Sequence, residues 1–328
     1  MLISVVEAVD LALARAMAED DNVIVLGEDV GVSGGVFRAT LGLHERFGPR
    51  RILDTPLAEN MIIGISVGMA TQGLRPVAEI QFFGFIYSAL EQLISHASRM
   101  RNRTRGRLSC PLTVRVPFGG GIHAPEHHSE STEALLTHIP GLKVLAVSSP
   151  QTAYGLLLAA IRDPDPVIVL EPERIYRSLK QEVEDNGIAL PIGRCFTWRT
   201  GDDVTLISWG AAVQDCLTAA EKLAEENISA EVIDVASLRP LDMATILDSV
   251  AHTGRCVIVH EACRTGGFGG EIAARVAEAA HADLKAPLKR VTAPDVIVPY
   301  FQLEPLYPPS VSDIIAAAHS VMAYENPA

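Results

Sequence analysis

Short strand-like segments alternate along this chain with longer stretches whose apolar residues recur at helical spacing. Residues 23–26 form a wholly apolar strand, and residues 112–116 and 167–170 are further strands. Helices are predicted for residues 5–18, after a capping box, for residues 60–71 and for residues 86–101. A wholly apolar strand is typical of a parallel sheet covered on both faces. The alternation therefore predicts a doubly wound α/β domain.

A second α/β unit follows a break in this pattern. Between residues 178 and 201 the periodicity fades, and charged residues, Pro191 and Gly193 intervene. The alternation then resumes, with predicted strands at 204–208, 230–234, 256–260 and 288–292 and predicted helices at 213–226, 243–251 and 271–280. A chain of 328 residues suits two domains. We predict a first domain over residues 1–177, a linker over 178–201 and a second domain over 202–328.

The charge balance limits the class of partner. The formal net charge of −13 disfavours nucleic acid or an anionic membrane surface as the main partner. A run of alternating arginines from Arg99 to Arg107 is the local exception. It is typical of a solvated helix end or a subunit contact, and a phosphate-binding strip is the alternative.

Cysteine usage and hydropathy bear on the compartment. Five cysteines without a C-x-x-C pair make a poor disulfide framework. The first residues lack the basic region of a signal peptide, and no apolar run reaches membrane-spanning length. We expect a reducing cytoplasm.

Residues 51–85 contain the main candidate site. Glu59 stands at the start of the apolar helix predicted for 60–71, and the aromatic sequence Phe82-Phe83-Gly84-Phe85 follows the next strand. A carboxylate near clustered rings suits a flat heteroaromatic ligand. The alternative is that Glu59 only complements the helix dipole.

Other motifs point less clearly to a site. His123, His127 and His128 follow a triple-glycine loop, but Pro125 breaks any helix that would align them as zinc ligands. A loop histidine that moves protons or orients a substrate is the better interpretation. The glycine-rich turn at 265–270 resembles an anion-binding helix start, although Glu271 favours close packing or a subunit contact there instead.

A family resemblance extends over nearly the whole chain. Its motifs are GED (27–29), GGVFRAT (34–40), DTPLAE (54–59), GLRPVAEIQF (73–82), HHS (127–129), GLKV (141–144), RDPDPVIVLEP (162–172) and HEACRTGGFG (260–269). In this order and spacing the chain resembles the β subunit of the thiamine-diphosphate-dependent decarboxylase component of a 2-oxoacid dehydrogenase complex, of pyruvate or branched-chain type. The resemblance implies a transketolase-like pyrimidine-binding domain followed by a transketolase C-terminal-like domain.

The resemblance also implies roles for single residues. Glu59 corresponds to the glutamate that hydrogen-bonds the aminopyrimidine ring of thiamine diphosphate and favours its imino tautomer. Phe85 corresponds to the aromatic residue that packs on that ring, and Leu57 and Gln81 line the same pocket. Glu28 lies near the pyrimidine and is expected to join an acidic proton path.

Two further sites are implied by the same resemblance. His128 corresponds to a histidine at the entrance of the site that serves acyl transfer to a lipoyl group. A structural potassium ion is expected, held largely through carbonyl oxygens of Leu112, Thr113, Ala160, Asp163 and Asp165.

One motif of thiamine enzymes is missing from the chain. The Gly-Asp-Gly sequence that holds Mg²⁺ and the diphosphate does not occur, and Gly201-Asp202-Asp203 is the nearest match. The resemblance therefore implies a separate α subunit that brings the metal, in a heterotetramer of two α and two β chains. The second domain is expected to mediate β–β contact and to dock the lipoyl acyltransferase core.

The implied reaction is the oxidative decarboxylation of a 2-oxoacid with reductive acylation of the acyltransferase. HEACRTGGFG and LEPERIYR favour a branched-chain substrate, and pyruvate is the alternative because EIQFFGF is shared with pyruvate enzymes. A self-sufficient transketolase-like enzyme and a non-catalytic scaffold subunit are the rival functions.

Overall fold

The structure, a computed structural model, describes residues 1–325. Its strands in chain order are β1 (Leu2–Ser4), β2 (Val23–Gly27), β3 (Ile52–Asp54), β4 (Arg75–Glu79), β5 (Thr113–Phe118), β6 (Lys143–Ala146), β7 (Val167–Pro172), β8 (Lys180–Glu182), β9 (Phe196–Arg199), β10 (Val204–Ser208), β11 (Ala230–Asp234), β12 (Ser237–Arg239), β13 (Cys256–Cys263) and β14 (Lys289–Ala293). Its α-helices are α1 (Val5–Glu19), α2 (Leu43–Phe47), α3 (Glu59–Thr71), α4 (Leu90–Ser95), α5 (Met100–Arg103), α6 (Glu133–Thr137), α7 (Pro150–Arg162), α8 (Ala212–Glu225), α9 (Met243–Thr253), α10 (Gly269–Ala280) and α11 (Val311–Met322).

The first sheet has the order β12-β6-β7-β5-β4-β2-β3. Its strands are parallel except at β12, which pairs antiparallel with β6. Helices α1 and α7 cover one face through a core that includes Val9, Leu13 and Leu157. Helix α3 and the segment after β4 cover the other face through Ile63, Phe83 and Leu93. The predicted doubly wound, mostly parallel domain is confirmed.

The second sheet has the order β14-β13-β10-β11-β9. Strands β10, β11, β13 and β14 are parallel, and β9 closes one edge in the antiparallel direction. Helices α8 and α11 pack on this sheet in a core of their own. The second predicted α/β unit is therefore present as well.

The segment 178–201 contains two strands that the sequence pattern did not predict. Strand β8 pairs with β1 at the N-terminus, and β9 pairs with β11. Both strands are short and partly exposed, so they lack the apolar run that marks the buried strands. The use of this segment as a linker, and the domain boundaries beside it, stay predictions.

The two halves of the chain share a core. Strand β12, from the second half, forms the edge of the first sheet. One apolar cluster also joins Phe118 of the first sheet to Ile207 and Ile233 of the second sheet and to Trp209, which follows β10. The loop after β5 therefore lies against the second half of the chain.

The continuous helix predicted for residues 86–101 is wrong. The chain instead forms a 3₁₀ helix over Phe83–Ala89, then α4, a 3₁₀ turn over Ala97–Arg99 and α5. His96, at φ −120° and ψ −67°, interrupts the α-helical geometry between α4 and the second 3₁₀ turn. The arginines of the run 99–107 are exposed at the end of this segment, as a solvated helix end requires.

Over residues 1–325, no helix is both long enough and apolar enough to span a bilayer.

Candidate functional site

Glu59 is the first residue of α3 and is half-buried. The Ser88 hydroxyl lies 3.2 Å from Glu59 Oε2 and 3.1 Å from the Phe85 carbonyl oxygen, so it bridges the two residues. The partial positive charge at a helix N-terminus stabilises a carboxylate in this position. The carboxylate is thus fixed in orientation beside the aromatic segment while part of it stays accessible.

Glu28 follows β2, at the carboxyl edge of the parallel sheet where α/β proteins bind ligands. Its side chain is only 9 % exposed, and no donor among residues 1–325 bonds to its buried Oε1. Burial raises the pKa of this carboxyl, and the charges of Glu59 and Asp29 raise it further. A buried acceptor without a partner beside a second carboxylate marks a place where a polar ligand can bind.

An aromatic cluster lies on the segment that Ser88 connects to Glu59. The His128 ring centroid is 4.4 Å from that of Phe82 and 5.1 Å from that of Phe85, in edge-to-face geometry. Phe82 and Phe85 are 5.6 Å apart, and His127 lies 5.4 Å from Phe85. The structure therefore brings together Phe85 and His128, which are far apart in the sequence.

The surroundings of His128 favour the neutral form of its imidazole. Burial lowers its pKa, His127 lowers it further, and Glu126 opposes the change. Its Nδ1 is buried without a partner among residues 1–325, which leaves Nε2 as the nitrogen that can meet a substrate. A neutral ring with one accessible nitrogen can accept or return a proton near neutral pH.

Leu57 and Gln81 lie at the border of this site. Leu57 is 79 % exposed, two residues before Glu59, and Gln81 is half-buried, directly before Phe82. Their positions are compatible with a pocket wall, and their roles stay predictions.

The five residues predicted to hold potassium come together at the turn between α7 and β7. The Val167 amide donates to the Leu112 carbonyl at 2.9 Å, and Thr113 is paired with Val167 across the sheet. Ala160 lies in the last turn of α7, and the Asp163 amide donates to its carbonyl at 3.2 Å. The Asp165 amide donates to Asp163 Oδ1 at 2.9 Å.

The two aspartates of this cluster already have cationic partners. Lys143 Nζ lies 2.6 Å from Asp163 Oδ2, and Arg101 Nε lies 2.7 Å from Asp165 Oδ1. Backbone carbonyls are then the remaining oxygen atoms for a cation, and carbonyl oxygens are the ligands that replace the hydration shell of K⁺ in proteins.

The histidines of the loop do not form a metal site together. His123 Nδ1 pairs with Glu304 Oε2 at 2.7 Å, whereas His127 and His128 pack on aromatic rings. Within residues 1–325, no group of three or more histidine, cysteine, aspartate or glutamate side chains is arranged to hold a metal ion.

The glycine turn at 265–270 serves close packing. A Cβ atom at Gly267 or at Gly269 would lie 2.6 Å from the ring of His260, which is fully buried. This favours the close-packing interpretation of the turn over the anion site.

Sequence reasoning missed Ser88, which orients Glu59, and a buried ion network under the site. Arg115 Nη1 lies 2.6 Å from Glu79 Oε2, and its Nε and Nη2 lie 2.7 and 2.8 Å from the Glu171 carboxylate. Tyr176 also donates to Glu171. A signal for this network was available, because each of these charges interrupts an apolar strand and a buried charge needs a partner.

Known proteins resemble the chain over its length. The family models described as "Transketolase, pyrimidine binding domain" and "Transketolase, C-terminal domain" match residues 2–178 and 193–314. The pyruvate dehydrogenase E1 component subunit beta of Bacillus subtilis (strain 168) is 44% identical, covering 98% of this chain and 99% of its own. The protein of the same name from Acholeplasma laidlawii is 46% identical over 96% of both chains.

A solved structure described as a split gene transketolase, inactive beta4 tetramer, superposes with a TM-score of 0.82. It covers 99% of both chains at 23% identity, which shows a shared fold.

Proposed function

This chain belongs to the transketolase-like β subunits of the 2-oxoacid dehydrogenases, and we propose that it supplies the aminopyrimidine half of a thiamine diphosphate site shared with an α subunit. Membership makes it a component of an oxidoreductase complex that uses this cofactor. The site residues, the metal ions, the assembly and the substrate are parts of the proposal.

The observation that carries the proposal is the Glu59 carboxylate, which Ser88 links to the Phe85 backbone next to the paired rings of Phe82 and Phe85. The Glu59 carboxyl can share a proton with a ring nitrogen, and the unpartnered Glu28 Oε1 can accept a hydrogen bond. The aromatic side chains offer a surface for a flat heterocycle. These carboxyl groups and aromatic rings together fit an aminopyrimidine.

Thiamine diphosphate, when bound, supplies the carbanion chemistry that breaks the bond between a keto carbon and a carboxylate. In this proposal Glu59 holds a proton at the ring nitrogen, and Ser88 keeps its carboxylate in place. Phe85 packs against the ring. His128 moves a proton through Nε2 when the acyl group passes to the lipoyl acceptor. Glu28 extends the acidic path away from Glu59.

The other half of the site is proposed to lie on the α subunit. The chain has no Gly-Asp-Gly sequence, so Mg²⁺ and the diphosphate need ligands from elsewhere. A set of large apolar side chains is exposed next to the histidine-bearing loop: Val296, Ile297, Tyr300, Phe301, Leu303 and Leu306. Phe301 lies 4.5 Å from the His123 ring. Exposed apolar patches of this kind mark protein interfaces, which supports a heterotetramer of two α and two β chains that binds the acyltransferase core.

Pyruvate is the proposed substrate. The relatives described above carry pyruvate in their names. The branched-chain preference expected from HEACRTGGFG and LEPERIYR finds no support among them.

The test is Glu59→Gln in the complex reconstituted with its α subunit. Turnover of pyruvate should fall by about 10² to 10⁴-fold, because the amide cannot exchange a proton with the ring. Assembly with the α subunit should persist. Glu91→Gln, an exposed glutamate on α4, is the control and should keep full turnover. Retained turnover in Glu59→Gln would refute the role of Glu59.

The same assay decides the substrate. The wild-type complex should show a higher kcat/KM with pyruvate than with 3-methyl-2-oxobutanoate. The reverse order would restore the branched-chain assignment.

The potassium site of Leu112, Thr113, Ala160, Asp163 and Asp165 has a separate test. Thermal unfolding should shift to higher temperature in potassium chloride than in lithium chloride of equal concentration, because a ligand that binds only the folded state stabilises it. Equal melting temperatures in the two salts would exclude the site.

A cytoplasmic location is also part of the proposal. The five cysteines are free thiols, which suits a reducing compartment. Recovery of the chain outside the cytoplasm in cell fractionation would contradict it.

A further inference from the structure

Two glutamates from the second half of the chain hold the loop that carries the histidines. We call residues 119–130 the histidine loop. The Gly120 amide donates to Glu261 Oε1 at 2.5 Å, and the Gly121 amide donates to Glu304 Oε1 at 2.5 Å. His123 Nδ1 contacts the other oxygen of Glu304 at 2.7 Å.

Both glutamates are buried where they make these contacts. Glu261 is 9 % exposed and Glu304 is 2 % exposed. A hydrogen bond from a backbone amide to a carboxylate is short and strong, and exclusion of water strengthens it further. The two carboxylates therefore fix the positions of two consecutive amides.

The loop has no space for side chains at this place. A Cβ atom at Gly119 would lie 3.0 Å from both carboxylate oxygens of Glu261, and one at Gly121 would lie 2.9 Å from the Arg174 side chain. Gly119 and Gly121 also have φ values of +83° and +96°, which favour glycine. The triple glycine thus lets the loop backbone approach the second half of the chain closely.

Backbone hydrogen bonds within the histidine loop connect the glycines to His128. The Gly119 amide donates to the Glu130 carbonyl at 3.0 Å and closes the base of the loop. Between these residues, the His128 amide donates to the Pro125 carbonyl at 2.9 Å in the 3₁₀ turn Glu126–His128. A displacement of Gly120 and Gly121 would therefore move His128 relative to Phe85 and Glu59.

We infer that Glu261 and Glu304 are positioning residues that set the histidine loop for acyl transfer to the lipoyl acceptor. Neither acts on the cofactor half of the site, which is formed by Glu28, Glu59 and Phe85. The second half of the chain thereby affects the reductive acylation of the lipoyl acceptor and does not affect decarboxylation. The inference rests on the proposed role of His128.

The first measurement is hydrogen exchange of the histidine loop, read by mass spectrometry in the complex with the α subunit. Glu261→Gln and Glu304→Gln keep the size of the side chain and remove its charge, so both should raise the exchange rate of the Gly120 and Gly121 amides by about tenfold. The peptides of α3 should exchange as in the wild type. An unchanged rate in both variants would overturn the inference.

The second measurement separates the two half-reactions. Reductive acylation of a lipoyl domain should fall by about tenfold in Glu304→Gln, because misplacement of a catalytic group slows the step it serves. Decarboxylation of pyruvate with ferricyanide as the electron acceptor should stay within about twofold of the wild type. Equal losses in both assays would contradict a positioning role for the loop glutamates.

Glu173→Gln is the matched control. Glu173 is a buried glutamate beside Glu261 and Glu304, and it makes no hydrogen bond to the histidine loop. Its variant should leave loop exchange and both rates unchanged, and a loss equal to that of Glu304→Gln would assign the effect to a general disturbance of the glutamate cluster instead.

His128→Gln distinguishes this inference from the proposed function. It should lose reductive acylation and keep the loop exchange of the wild type. If it keeps reductive acylation, the role of His128 is wrong and the acyl-transfer part of the inference fails with it. If His128→Gln loses the reaction and Glu304→Gln does not, only the positioning inference is wrong.

Discussion

At the scale of single residues, Glu173 is a buried carboxyl whose surroundings raise its pKa strongly. Both of its carboxyl oxygens are buried without a donor among residues 1–325. Burial, with the nearby charges of Glu261 and Glu304, raises its pKa to about 9 from a usual 4.5. It is therefore protonated in the folded chain at neutral pH and ionised in the unfolded chain.

This difference predicts a pH-dependent stability. Between pH 4.5 and 9 the unfolded chain has released a proton that the folded chain keeps. The free energy of unfolding then falls as pH rises, by up to about 1.4 kcal/mol per pH unit. Glu173→Gln should remove this loss, so that its free energy of unfolding relative to the wild type rises by about 2.7 kcal/mol from pH 6 to pH 8.

Urea unfolding of both chains at the two pH values measures the effect. Glu278→Gln, an exposed glutamate of α10, is the control, and its difference from the wild type should be equal at pH 6 and pH 8. A difference for Glu173→Gln that is also equal at both pH values would show that its carboxyl ionises normally.

The sequence was informative about some single residues and silent about others. Glu59 was a candidate from its place at a helix start, and its interpretation as a dipole-complementing acid stayed open. Its pairing with Glu28 and Ser88 needed the fold, because the three residues come from separate elements. Glu261 lies in the HEACRTGGFG motif and Glu304 lies outside the quoted motifs, but the sequence does not show that either contacts the histidine loop, because that loop is distant along the chain.

At the scale of elements, the buried ion network of Arg115, Glu79 and Glu171 connects three neighbouring strands. Arg115 on β5 bonds Glu79 on β4 and Glu171 on β7, and all three side chains are at least 96 % buried. Strand register places Glu79 directly beside Arg115. The sequence shows each charge inside an apolar strand, but the strand order that makes them partners is a property of the sheet.

Arg115→Met should destabilise the chain by about 3 to 5 kcal/mol, because it leaves two carboxylates buried without their cation. Arg101→Met removes an exposed partner of Asp165 and should cost less than about 1 kcal/mol. Urea denaturation compares the two variants. A cost below that of Arg101→Met would contradict the stabilising role of the ion pairs that Arg115 makes with Glu79 and Glu171.

Strand prediction succeeded where burial on both faces leaves an apolar run and failed where it does not. Strands β2, β7 and β10 are buried throughout and were found. The short strands β8 and β9 were missed because each is partly exposed. The predicted helix at 86–101 failed because helical spacing does not distinguish a 3₁₀ segment from an α-helix.

At the scale of the whole molecule, two sheets share one core, and the candidate site lies at the carboxyl edge of the first sheet. Strand β12 belongs to the second half of the chain but pairs with the first sheet. Glu261 and Glu304, also from the second half, bind the histidine loop of the first half. The periodicity predicted both sheets but not this exchange between them, because a three-residue edge strand carries no periodic signal.

The half-site character of this chain is the central claim. Its carboxylates and aromatic rings suit the aminopyrimidine, whereas the sequence lacks the metal motif for the diphosphate. Exposed apolar side chains are present at Leu57, two residues before Glu59, and at Phe301, which packs on His123, and a partner could cover them.

Calorimetric titration of thiamine diphosphate with Mg²⁺ tests this claim most directly, first on the purified chain and then on its complex with the α subunit. We predict binding too weak to titrate for the chain alone and tight, Mg²⁺-dependent binding for the complex. Tight Mg²⁺-dependent binding by the chain alone would contradict the half-site and favour a self-sufficient transketolase-like enzyme.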